Sequence, residues 1–263
     1  MLRHFLATLM VSLVPVIPTG SARAHDDALT PHIYATSWGL TLSADGSGFY
    51  NDFARFTLGP EETLDHYYAY PYKRAMRHFE EENNACIYPK SITALQRTSA
   101  VPKNAKLIES EAMMRSPLRV FTPPGTNPVR NEYDLHGMSI AYALGSNLSK
   151  TIKAYGSRFA AIADETDKAK MLLGGNVDAM LANMPDAYFV FQQLEVPLPP
   201  NDPAYIPVPA AHARIVCHDT EENRAFITRL NQRIEMLVKD GEMAAFLKAQ
   251  GLNAEEYLPP MER

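Results

Sequence analysis

Six of the chain's 20 prolines crowd into positions 197–209: Pro197, Pro199, Pro200, Pro203, Pro207 and Pro209. Proline fixes φ, lacks an amide hydrogen and pushes the preceding residue to extended backbone, so neither a helix nor a central strand can run through this stretch. A shorter joint, Thr122-Pro123-Pro124-Gly125, lies upstream. Around the joints, short apolar runs alternate with helical patterns. Strand-like runs occupy 32–36, 66–70, 85–88, 118–122, 139–144, 159–163, 177–181 and 214–217. Helix-like stretches occupy 48–56, 72–82, 147–155, 166–173 and 185–194. This alternation predicts an α/β fold with largely parallel sheet, and the two joints set a middle block of about 123–205 apart from the segments on either side. Near the C-terminus, Asp219-Thr220-Glu221-Glu222 opens a helix whose apolar residues Phe226, Ile227, Leu230, Ile234 and Leu237 share one face. Lys239-Asp240-Gly241 ends it, and a second helix runs from 242 to 250.

Residues 1–24 carry a different signal. Arg3 and His4 precede an apolar run from Phe5 to Ile17, followed by Pro18, Gly20 and the small-residue cleavage pattern Ala22-Arg23-Ala24. This is the order of a secretory signal peptide, and the run falls short of the ~20 apolar residues a membrane span requires. An exported, periplasmic, soluble protein is expected. Loss of Arg3 and Arg23 leaves 23 basic against 30 acidic residues, taking the net charge from −5 to −7. With no basic block, nucleic acid is not an expected partner. Cys86 and Cys217 lie in short apolar runs. An even count in an oxidising compartment favours one disulfide, with two buried thiols as the alternative.

Several dispersed stretches share a pattern. They are Gly46-Ser47-Gly48-Phe49-Tyr50-Asn51-Asp52, Tyr72-Lys73-Arg74-Ala75, Asp134-Leu135-His136-Gly137 leading into Ala143-Leu144-Gly145-Ser146, Gly174-Gly175-Asn176-Val177-Asp178-Ala179, and Leu230-Asn231 with Leu237-Val238-Lys239-Asp240-Gly241. In order and spacing they resemble the periplasmic solute-binding proteins of ABC importers, in the family that holds the amino-acid receptors. The resemblance implies a two-lobe periplasmic binding-protein fold, each lobe a mostly parallel sheet flanked by helices, joined by two crossover segments and closing on ligand by hinge motion. Lobe 1 is then residues 25–118 with 209–263, and lobe 2 is 119–208. If Cys86 and Cys217 sit on neighbouring strands, their bond stitches the two segments of lobe 1. A small-molecule ligand, an inner-membrane ABC permease and a monomeric state follow as implied.

The same resemblance directs attention to the cleft. Gly145, Ser146 and Asn147 stand between a strand and a helix, where amide groups suit an anion, although Ser146 or Asn147 can equally cap the helix. Arg97 falls near the position at which amino-acid receptors grip the ligand carboxylate, for which a guanidinium fork is well shaped. Arg115 and Arg119 near the hinge compete for that role. Asn183 stands where those receptors carry an acid for the ligand ammonium. An amide cannot neutralise a cation, and desolvating one unpaired costs several kcal/mol. Asp186, three residues on, is either a replacement or a first-turn acid of the next helix. Trp38 and Tyr72 supply rings for stacking on a planar or apolar ligand. An anionic or aromatic-containing solute is therefore expected over an ordinary α-amino acid.

Neither H-E-x-x-H, G-x-S-x-G nor a P-loop occurs, and the histidines His66, His78, His136 and His212 are scattered. No catalytic residue, metal or cofactor is expected. The competing readings are a dehydratase-like enzyme resembling cyclohexadienyl dehydratase on the same scaffold, and a periplasmic accessory or sensor protein.

Overall fold

The computed structural model describes residues 30–60, 65–144, 146 and 148–259. The leader at 1–24, with Gly145 and Asn147, lies outside the described residues. The chain begins with β1 (His32–Ser37), α1 (Phe49–Leu58), β2 (Tyr67–Pro71), α2 (Tyr72–Glu81), β3 (Ala85–Tyr88), α3 (Ile92–Arg97) and β4 (Leu107–Glu109). β5 (Met114–Ser116) and β6 (Leu118–Phe121) follow, then β7 (Ser139–Ala143), α4 (Leu148–Thr151), β8 (Arg158–Ile162), α5 (Glu165–Leu173), β9 (Ala179–Asn183) and α6 (Asp186–Gln193). The return is β10 (Ala211–Ala213), β11 (Val216–His218), α7 (Glu221–Lys239), α8 (Glu242–Ala249) and α9 (Ala254–Tyr257).

The strands make a five-stranded sheet in the order β2-β1-β3-β11-β4, a four-stranded sheet in the order β6-β9-β7-β8, and a two-stranded ribbon of β5 with β10. Only β11 opposes its neighbours in the first sheet, and only β6 in the second. The expected two-lobe α/β architecture with mostly parallel sheets is thus present. β3 is buried along its whole length, as is the middle of β1, because helices cover both faces of such a sheet and select apolar runs over alternation.

The crossings lie elsewhere than the prolines suggest. β6 pairs with β9, so the chain passes between sheets at β5, ahead of Pro123 and Pro124, and returns at β10, past Pro209. The two proline joints instead touch each other, Thr122 N donating to the Pro200 carbonyl at 3.0 Å. The helix expected over 147–155 shrinks to the single turn of α4: the Tyr155 carbonyl accepts from Gly137 N at 3.0 Å and Gly156 takes φ 73°. Three- to six-residue elements such as β4, β5, β10 and α3 are too short to leave a periodicity in the sequence.

Local chemistry sets the helix starts. Gly48 precedes α1 at φ 100°, and a Cβ there would lie 2.5 Å from the Leu40 carbonyl oxygen, so only glycine fits. Asp164 caps α5 by accepting from Asp167 N at 2.9 Å, and Thr220 caps α7 by accepting from Asn223 N at 3.2 Å. α7 buries Phe226, Leu230, Ile234 and Leu237 on one face and packs on α1 and α8.

One apolar cluster runs through both lobes, from Ile33, Phe53 and Ile215 to Phe121, Met180 and Phe191. Burial of each such side chain contributes about 1.5–3 kcal/mol. Across the lobes the rings of Phe49 on α1 and Phe189 on α6 stand 5.0 Å apart. Cys86 and Cys217 are registered partners on β3 and β11 and form a disulfide. At the far end of the chain, Glu256 on α9 reaches Arg119 on β6 at 2.5 Å; Arg119 is buried, and its Nη1 has no partner among the described residues.

Candidate functional site

The carboxyl ends of β1, β2, β3 and β9 converge between the lobes, and the residues just past them build the site. Trp38 follows β1. Its Nε1 donates to Thr41 Oγ1 at 2.8 Å and to Asp186 Oδ1 at 3.0 Å. The Thr41 hydroxyl also donates to Asp186 Oδ1, and the Tyr50 hydroxyl donates to Oδ2 at 3.2 Å. Three donors from the first lobe therefore close on one carboxylate from the second. Asp186 owes its place to Met184 and Pro185, which carry the chain from β9 to the start of α6. Ser116 of the ribbon holds that turn by donating to the Met184 carbonyl at 2.9 Å.

Burial of Asp186 pushes its carboxyl up to about 6, and the charge of Glu165 adds to the rise. The hydrogen bonds from Thr41, Trp38 and Tyr50 work in the other direction without overcoming burial. Glu165 itself is paired within one turn of α5, the wholly buried Lys168 ammonium sitting 2.7 Å from its Oε2. Tyr50 is buried too, with its ring edge-on to Trp38 at 5.0 Å.

Lys90, just past β3, brings a cation to the site. Its Nζ lies 5.6 Å from the centre of the Trp38 ring and 5.4 Å from that of Tyr72, inside the range in which a ring face attracts an ammonium. Burial lowers the ammonium to about 8, which leaves it charged at neutral pH. Sequence reasoning passes over Lys90 and Thr41. The available signal for Lys90 is positional, since ligands in open α/β sheets bind beyond strand carboxyl ends and Lys90 lies two residues beyond β3.

Of the residues singled out from sequence, Trp38, Tyr72 and Asp186 fall in this region. Asn183 ends β9 and is exposed, in register with Leu118. Ser146 spends both its hydroxyl (2.7 Å) and its amide (3.2 Å) on the Ala143 carbonyl. Arg97 is exposed in the last turn of α3 and, among the described residues, has no hydrogen bond or ion pair with Trp38, Thr41, Tyr50 or Asp186. Among the described residues no group of His, Cys, Asp or Glu is arranged to hold a metal ion, and no helix is long and apolar enough to cross a membrane.

Two α/β lobes joined by a strand ribbon, with a polar site at the strand ends between them, define a type II periplasmic binding-protein fold. Solved structures share it. The substrate-binding protein of an amino acid ABC transporter matches 83% of this chain and 97% of its own at TM-score 0.59 and 14% identity. The GluR0 ligand-binding core from Nostoc punctiforme, in complex with L-glutamate, matches 83% of this chain and 98% of its own at 0.60 and 14%. An ancestral amino acid-binding protein, a precursor of cyclohexadienyl dehydratase, matches 84% and 95% at 0.61 and 13%. No protein-family model and no curated protein matches the chain in sequence. At these identities the likeness establishes the fold.

Proposed function

We propose that the protein is a periplasmic solute-binding protein that captures a small anionic or aromatic-containing solute between its lobes for an inner-membrane ABC permease. Residues 25–118 and 209–263 form the first lobe and 119–208 the second; the leader at 1–24 directs export, and the capture unit is a monomer. The observation that carries the reading is the Lys90 ammonium held between the Trp38 and Tyr72 rings at the strand ends. Lys90, rather than Arg97, supplies the anchoring cation, and the two rings flank a planar ligand.

Asp186 supports the preference against an ordinary amino acid. Its carboxylate is already engaged by Trp38, Thr41 and Tyr50. An incoming ammonium would have to displace these donors, and Asn183 offers no charge in its place. The test is a thermal-shift and tryptophan-emission screen; Trp38 is the chain's single tryptophan, so emission reads the site directly. Carboxylates lacking an ammonium should stabilise in a concentration-dependent way, and more than α-amino acids do. A strong response to lysine, glutamine or histidine overturns the reading. In Lys90→Gln, anion affinity should fall at least about tenfold, the loss of one charge-assisted contact of about 1.5–3 kcal/mol.

One observation favours a second reading. A buried carboxyl held near neutrality, as Asp186 is at about 6, is what a general acid needs, and it fits a dehydratase-like enzyme on this scaffold. Turnover of a bound ligand by stoichiometric protein, lost in Asp186→Asn, would establish that reading; retention of the ligand unchanged supports binding alone.

A further inference from the structure

The ribbon that joins the lobes has a second face. Side chains alternate faces along a strand. On β5, Ser116 turns inward to the Met184 carbonyl at 2.9 Å, so Arg115 beside it points out of the back. His212 on β10 is Arg115's registered antiparallel partner, and directly opposed residues share a face. The two side chains, with Pro209, Ala210 and Leu258, line an open surface pocket of about 430 Å³. Both are half-buried, and among the described residues neither side chain has a hydrogen-bond or ion-pair partner.

The Arg115 guanidinium and the His212 imidazole therefore face one another across the ribbon with no acid bonded to either among the described residues. Glu109, the acid whose charge reaches His212, is itself engaged by Arg214 at 3.7 Å. Two guanidinium groups, Arg214 and Arg115, act on the His212 imidazole, and with burial they hold it below its usual range, outweighing Glu109. A guanidinium presents a planar fork that donates two parallel hydrogen bonds to a phosphate or carboxylate, and an imidazole across the ribbon adds a third donor.

We propose that the back of the ribbon is a second binding site, which takes a small oxyanion, phosphate or carboxylate, between Arg115 and His212. Since the two residues belong to the outgoing and the returning crossing, the bound anion ties the two crossings together.

The test is titration of the full chain with inorganic phosphate, followed by calorimetry and by the His212 ring resonances, against sodium chloride at matched ionic strength. Phosphate should give a saturable response that chloride does not, with parallel titrations in acetate and succinate showing whether carboxylates share the site. Arg115→Gln and His212→Gln should each weaken binding at least about tenfold. Arg115→Lys, which keeps the charge without the fork, should fall between wild type and Arg115→Gln. Lys90→Gln should leave phosphate binding unchanged, and Arg115→Gln should leave cleft binding unchanged. No saturable response beyond chloride, unaltered affinity in Arg115→Gln, or a phosphate response abolished by Lys90→Gln would each overturn the proposal, the last by moving the anion into the cleft.

Discussion

Asparagine in place of Asp186 keeps the shape of the residue and removes its ability to ionise. In the folded protein burial holds this carboxyl at about 6, against 3.8 for an ordinary aspartate. Below 3.8 both folded and unfolded chains carry the proton and the group imposes no penalty. Between 3.8 and about 6 the unfolded chain releases its proton first, and above about 6 the folded chain carries a buried charge. The stability linked to this proton is therefore complete below 3.8 and is lost as pH rises through about 6. At about 1.4 kcal/mol per pH unit, the loss reaches about 3 kcal/mol by pH 7. The substitution keeps the hydrogen-bond geometry: in Asp186→Asn an amide oxygen still accepts from Trp38 and Thr41, while the amide nitrogen donates to the Tyr50 hydroxyl. The assay is thermal unfolding of both proteins at intervals from pH 4 to pH 7. The two should coincide near pH 4, and the variant should gain about 3 kcal/mol by pH 7, or roughly 6–12 °C in Tm for a chain of this size. Comparing the two proteins cancels Asp45, Asp178, Asp219 and Glu82, whose hydrogen-bonded carboxyls sit below their usual values and act with the opposite sign. A difference that does not vary with pH, or a variant less stable at pH 7, would refute the reasoning.

Three further outcomes are expected. Reduction of the Cys86–Cys217 bond, or Cys86→Ser with Cys217→Ser, should cost about 2–5 kcal/mol in urea unfolding, since a sequence separation of 131 closes a long loop in the unfolded chain. Glu256→Gln should cost about 3–5 kcal/mol by leaving the buried Arg119 charge uncompensated, whereas Glu256→Gln combined with Arg119→Met should recover most of it; equal losses in both would show that the pair has no special weight. Gly48→Ala should cost about 2 kcal/mol or more, because a side chain at φ 100° meets the Leu40 carbonyl; a stability change under about 0.5 kcal/mol by the same method is the opposing result.

Much of this architecture is legible in residue order. β3 matches the apolar run at 85–88 end for end, and α2 begins at Tyr72 as its pattern predicts, because both are set by local periodicity. The two-lobe plan is legible only through the dispersed motifs, since no single one of them specifies a long-range pairing. Where the reading drifts, nonlocal contacts decide. The proline joints mark extended chain, yet the crossing is set by the pairing of β5 with β10 and of β6 with β9, which no local pattern encodes. The site divides in the same way. Trp38, Tyr72 and Asp186 stand out by residue type and position, but that Asp186 is gripped by Trp38, Thr41 and Tyr50 follows from two lobes meeting across 136 to 148 positions of chain. Lys90 resembles any surface lysine until two rings are found beside it.

The bond between Cys86 and Cys217 joins neighbouring strands of a single sheet, and both crossings and the entire second sheet lie between its ends. Topologically the chain is a ring with two tails, and the second lobe is an excursion of that ring. A protease cut anywhere between 86 and 217 opens the ring without releasing a fragment, so nicked and intact protein travel together until a reductant is added. The same closure gives the second lobe a fixed address: it can come apart and re-form while β3 and β11 remain side by side, and the first lobe never has to find its own returning strand again.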